Sequence, residues 1–138
     1  MMNMSRRQQQ VEREERRVDR DRREGAAGKL LEKVPNLTSL SLAIREGRAD
    51  TGMGENQYIR RVVVSSAPAL FEIRCSNAGC EDGIYDLTRE ILSALASGSP
   101  KFEGERPCPG RTRTSDCPRV LRYVGTATYR EPLTAGTR

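Results

Sequence analysis

Residues 75–80 read CSNAGC and residues 108–117 read CPGRTRTSDC, and these two stretches hold all four cysteines of a 138-residue chain. Both pairs are embedded in turn formers: Asn77 and Gly79 in the first, Pro107, Pro109, Gly110 and Pro118 in the second. Thiolates offered from two such loops can wrap a single ion, with each sulfur about 2.3 Å from the metal. The order around them is strand, cysteine pair, helix, cysteine pair, strand, which brings both loops to one end of a small sheet. The expectation is that Cys75, Cys80, Cys108 and Cys117 are the ligands of one structural Zn2+ per chain.

Composition explains why a metal is useful here. Only 36% of the residues are hydrophobic, 31% are charged, 4% are aromatic and there is no Trp. A chain of this size with so few large apolar side chains builds one modest core and benefits from a staple.

Outward from the cysteines, the pattern is that of an α+β fold. Leu40, Leu42 and Ile44 alternate with Ser39, Ser41 and Ala43, as in a strand with one buried face. Residues 47–56 read as a flexible connection to a second strand over 57–65, which contains the β-branched run Val62, Val63, Val64. After Pro68, residues 69–74 predict a third strand that delivers the chain to Cys75. Residues 86–96 predict a helix with Asp86 as N-cap and Leu87, Ile91, Leu92 and Leu95 on one face, ended by Gly98 and Pro100. A last strand is expected over 120–129. The predicted core is Val62, Val64, Phe71, Ile73, Leu87, Ile91, Leu92, Leu95, Leu121 and Tyr123. The architecture implied is an antiparallel sheet of about four strands with one packed helix and the four-cysteine cluster at one edge.

In front of this lies a different kind of sequence. Residues 5–24 are charge-dense, with Val11 and Val18 the only aliphatic residues, and Glu12–Arg16, Arg17–Asp21, Asp19–Arg23 and Arg20–Glu24 at i,i+4 support a helix with almost nothing to bury. Residues 25–28 read as a soft break, and 29–34 as a short helical turn cut off by Pro35, together a hinge. The domain organisation is therefore an arm and hinge over 1–36, helical or disordered, a zinc-stabilised domain over 37–130 and a loose tail over 131–138.

The four-cysteine arrangement resembles, in general style, a zinc ribbon or a related treble-clef element, over residues 69–129 at most. The C-x4-C pair lies at the edge of the usual spacing and the C-x8-C pair is wider than it. The resemblance implies a structural zinc and an interaction role, and it transfers no catalytic residue. Two other readings of the cysteines stay open: a pair of disulfides, which needs an oxidising compartment, and four unlinked thiols in a core, since free Cys is a common buried residue. No apolar run is long enough to span a membrane and residues 1–10 lack the apolar core of a signal peptide, so the expectation is a cytoplasmic protein without membrane or small-molecule partners.

Catalysis has little to work with. The chain contains no histidine, which removes the commonest partner of a catalytic zinc and the usual Ser-His and Cys-His pairs, and Asp82 and Asp86 read as a solvated residue and a helix cap. The protein is expected not to be an enzyme. Two binding roles remain. A rigid zinc module with a charged arm suits an interaction or adaptor protein docking on a larger assembly. Alternatively, Arg106, Arg111, Arg113, Arg119 and Arg122 gather around the second cysteine loop and, together with the basic arm, offer nucleic-acid or anion contacts. Tyr123 and Tyr129 offer either base-stacking surfaces or core packing, and packing is the favoured reading.

Overall fold

The alternation over 40–44 continues further than the side-chain pattern alone implies. In the computed structural model, which describes residues 5–48 and 52–131, strand β1 (Leu37–Arg48) runs through the centre of a sheet with Leu40, Leu42, Ile44 and Glu46 on its buried face. Strand β2 (Gly52–Val62) pairs antiparallel with it from Leu40↔Val62 to Arg48↔Gly52. The expected flexible connection over 47–56 is thus largely strand, and only 49–51 lie outside the described residues. A register shift between Glu46 and Arg48 lets the ladder continue past Gly47.

The other neighbour of β1 is the last strand, β6 (Arg119–Tyr129), itself flanked by β5 (Lys101–Pro107), which gives the antiparallel order β2-β1-β6-β5. Strand β5 is absent from the sequence-based expectation because its charged residues Lys101, Glu103 and Glu105 mask the pattern. Its place is secured by glycine and aromatic partners facing each other: Phe102 lies opposite Gly125 and Gly104 opposite Tyr123, and the two rings meet edge to face with centroids 6.4 Å apart.

The strand expected over 69–74 takes a different position. Only Glu72–Arg74 (β3) is strand, and it pairs with Ile84–Asp86 (β4) in a separate two-stranded sheet. The second strand also stops early: its pairing with β1 ends at Leu40↔Val62, and Val63 is exposed while Val62 and Val64 are only partly buried. Helix α3 (Thr88–Ala96) packs its Ile91 and Leu95 into the core. Its N-cap is Leu87 rather than Asp86, although the Asp86 carboxylate still accepts the Thr88 N–H at 3.1 Å. Leu92 is partly buried, and the other predicted core residues, Phe71, Ile73, Leu87, Ile91, Leu95, Leu121 and Tyr123, are buried.

The amino-terminal charged run is one long helix, α1 (Arg6–Ala27), opened by a capping box between Ser5 and Gln8. It passes through Gly25 and stops only at Gly28, whose φ of 80° ends it. Of the four expected i,i+4 pairs, Asp19–Arg23 forms, at 3.2 Å, and i,i+3 contacts Glu14–Arg17 and Asp19–Arg22 accompany it. The short helix α2 (Leu30–Lys33) is more than a hinge element. Leu30 and Val34 are buried in the main core, and the Leu30 and Ala69 N–H groups bond to the carbonyls of Ala67 and Gly28, both within 2.9 Å.

Candidate metal centre

Two β-hairpins end side by side. The β3–β4 connection carries Cys75 and Cys80, and the β5–β6 connection carries Cys108 and Cys117. Each connection is closed by its own backbone bonds: Cys75 N–H to the Gly83 carbonyl at 2.7 Å, Cys108 N–H to that of Arg119 at 2.9 Å and Cys117 N–H to that of Gly110 at 3.1 Å. The connections are then tied together by a reciprocal pair, Glu81 N–H to Arg111 carbonyl at 2.9 Å and Arg111 N–H to Glu81 carbonyl at 3.2 Å.

The result is that the four sulfurs, all predicted as ligands, lie within 4.8 Å of one another. Cys75 and Cys117 Sγ are 3.9 Å apart and Cys80 and Cys108 Sγ 3.6 Å apart. A tetrahedral ion with sulfurs at about 2.3 Å sets its ligand sulfurs about 3.8 Å from each other, so the cluster has the dimensions of a four-thiolate site. All four cysteines are free thiols, with no disulfide between them.

The surroundings favour sulfur as an anion. Asn77 N–H points at Cys75 Sγ at 3.5 Å, Gly110 N–H at Cys108 Sγ at 3.4 Å, and the Asn77 side-chain amide at Cys117 Sγ at 3.6 Å. Cys117 also accepts from the Arg119 backbone. Three of the donors come from the backbone two residues after the cysteine, the arrangement that lets a tight turn stabilise a thiolate. Without a cation these donors are outweighed at three positions: burial pushes Cys75 up to about 12 and Cys80 and Cys108 to about 11. At Cys117 burial is overcome by the Arg119 and Asn77 donors, and the thiol falls below its ordinary value. A bound dication reverses that balance by compensating the buried negative charge.

Close packing leaves no room for side chains between the loops. A Cβ on Gly83 would meet Cys80 Sγ at 2.5 Å, Cys75 Cβ at 2.8 Å and Cys108 Sγ at 2.9 Å. One on Gly110 would meet the Glu81 carbonyl oxygen at 2.6 Å. Three of the cysteines are buried, and Cys80 is the partly exposed one.

Beneath Cys75 lies Glu46, a buried carboxylate that sequence reasoning passed over. It accepts the Ser76 N–H at 3.2 Å and the Tyr85 hydroxyl at 2.9 Å. Burial alone would raise its pKa, but donors from Ser76, Tyr85 and Cys75 hold it below the usual carboxylate value. Its position was legible in the period of two that places Leu40, Leu42 and Ile44 inward, since Glu46 is the next residue in phase.

The five arginines expected to offer nucleic-acid or anion contacts do not all share one face. Arg106 extends toward α3 and bonds Glu90 at 3.0 Å, whereas Arg122 lies on the opposite face of the sheet against Glu105. Arg111 faces Asp116 at 3.6 Å within the second loop, Arg113 is exposed in the same loop, and Arg119 is half-buried at the start of β6. Tyr123 packs in the core, and the Tyr129 hydroxyl donates to the Ser99 carbonyl at 2.7 Å.

Comparison with protein-family models, with curated proteins and with solved structures finds no match for this chain. Among the described residues, no helix is long and apolar enough to cross a membrane.

Proposed function

We propose that the chain is a non-enzymatic binding module, built around one structural zinc ion held by Cys75, Cys80, Cys108 and Cys117, that works by docking on a macromolecular partner in a larger assembly. The observation that carries this reading is the convergence of four free sulfurs from two separate hairpins to within 4.8 Å. Four protein sulfurs complete a tetrahedron and leave no position for a substrate or an activated water, which is the ligand economy of a structural and not a catalytic ion. Two hairpin tips clasping one ion is also the general style of a zinc ribbon. Sulfur-only sites accept iron as well, so the choice of zinc is the part that measurement decides.

Elemental analysis of the purified chain, together with thiol titration before and after denaturation, tests the reading. One zinc per chain with four thiols masked until unfolding is expected. Iron with thiolate-to-metal charge-transfer absorbance would replace zinc in this account, and a metal-free folded protein with reactive thiols would end it.

A further inference from the structure

Helix α1 distributes its charges unevenly. With about 100° of rotation per residue, Arg13, Arg16, Arg17, Arg20 and Arg23 fall within a sector of about 120°. Most of the helix's acidic residues fall outside that sector. The stripe faces a groove whose opposite wall is the β3–β4 hairpin, from which Arg74 adds a sixth guanidinium. Three acidic residues also line it, Asp19, Glu72 and Asp82. Two of these are already neutralised from within the groove, because Arg23 contacts Asp19 and Glu72, each at 3.2 Å. Among the described residues, Arg13, Arg16, Arg20 and Arg74 have no ion pair.

We infer that this groove between α1 and the β3–β4 hairpin is a track for the phosphate backbone of a nucleic-acid strand. The stripe from Arg13 to Arg23 covers about 15 Å of helix, long enough to meet about four successive phosphates at the axial rise of one strand. All six cations are arginines, whose planar fork pairs with phosphate oxygens through two hydrogen bonds. A membrane surface fits less well. The only aliphatic residues of α1 besides alanine, Val11 and Val18, are exposed on the side away from the stripe, so no apolar face accompanies the charge. The contact is with the backbone and independent of sequence, since none of the described residues lining the groove is aromatic.

This inference rests on the structural-metal reading in one respect: Asp82, Gly83 and Ile84 form part of the groove wall, and they belong to the loop that carries Cys80. The metal thereby braces a wall that the β3–β4 pairing already forms.

The test is fluorescence anisotropy with labelled mixed-sequence single-stranded RNA, single-stranded DNA and duplex DNA, on the full metal-loaded chain, between 50 and 200 mM salt (about the range over which phosphate contacts weaken strongly). Binding at low salt that declines steeply with salt is expected, and the tightest arm names the strand. The triple variant Arg13→Gln/Arg16→Gln/Arg20→Gln should lose at least about tenfold in affinity and flatten the salt slope by about two to three. Its melting temperature and metal content should be unchanged, because these side chains are exposed. Arg7→Gln/Arg22→Gln, which removes two α1 arginines outside the stripe, should leave affinity within about twofold.

Absence of binding at low salt, or equal losses in both variants, overturns the groove. Equal arginine-dependent binding to phosphatidylserine vesicles or to polyglutamate overturns nucleic acid as its occupant. One metal per chain without arginine-dependent binding defeats the groove alone, whereas binding by a metal-free chain defeats the metal reading and leaves the groove standing.

Discussion

The Tyr85 hydroxyl donates to Glu46 at 2.9 Å, and both side chains are sealed from solvent. This bond joins β4, beside the first cysteine loop, to β1 at the centre of the main sheet. With the Ser76 N–H bond to the same carboxylate, it links the metal-bearing hairpin to the main sheet, and its neighbourhood raises the Tyr85 pKa, first through burial and then through the carboxylate.

Tyr85→Phe leaves that carboxylate buried with one donor fewer, which costs about 1–3 kcal/mol. Urea denaturation of Tyr85→Phe, Glu46→Gln and the double variant measures the coupling. A double variant less destabilised than the two single losses added together is expected, and strict additivity would show that the pair does not act as a unit.

Cys108→Ser removes one ligand, and the loss should exceed that of an ordinary core substitution, because the free energy of metal binding is part of the free energy of folding. Chelation of the parent protein should produce the same loss, reversed by adding zinc. An unchanged melting temperature and m-value for Cys108→Ser would falsify the ligand assignment.

Gly83→Ala and Gly25→Ala make opposite predictions from the same chemical change. At Gly83 the added methyl collides with three cysteine atoms within 2.9 Å, so metal affinity and stability should both fall. At Gly25, inside α1 with nothing within 4 Å, alanine should stabilise the helix by about 0.5–1 kcal/mol. Circular dichroism melts with metal analysis distinguish the two.

Tyr123→Phe should alter the response to alkali. Burial raises the Tyr123 phenol from 10.0 to about 12, helped by Glu90. The folded state therefore holds the proton more tightly than the unfolded state, so this contribution is complete below pH 10 and disappears as pH rises toward about 12. A flatter loss of stability with pH in Tyr123→Phe than in the parent, over that window, is the expected result of parallel denaturation series. Identical pH profiles would show that the hydroxyl carries no such linkage.

The fold class and the cysteine cluster were legible because they depend on local signals: alternation over 40–44, an amphipathic helix around Ile91 and Leu95, and cysteines framed by Pro, Gly and Asn. What escaped depends on pairing. Strand β5 carries alternate charged residues and is recognised as strand only through the glycines and aromatics it shares with β6. Residues 69–74 looked like a sheet strand, but their partner is the three-residue strand at 84–86, too short to leave a pattern of its own. The arginines illustrate the same limit. Those near the second cysteine loop are close in sequence but Arg106 and Arg122 take opposite faces of the sheet, while those of α1 line one groove with β3 and β4.

Strands β1 and β6 lie next to each other in the middle of the sheet, although residues 49–118 separate them in sequence, with Leu37 facing Tyr129. A chain emerging from the ribosome cannot assemble this pair until β6 has been synthesised, and loop closure over such a span slows the search. Both cysteine loops lie between the two strands, so an ion captured early would shorten that loop and hold the ends close before they pair.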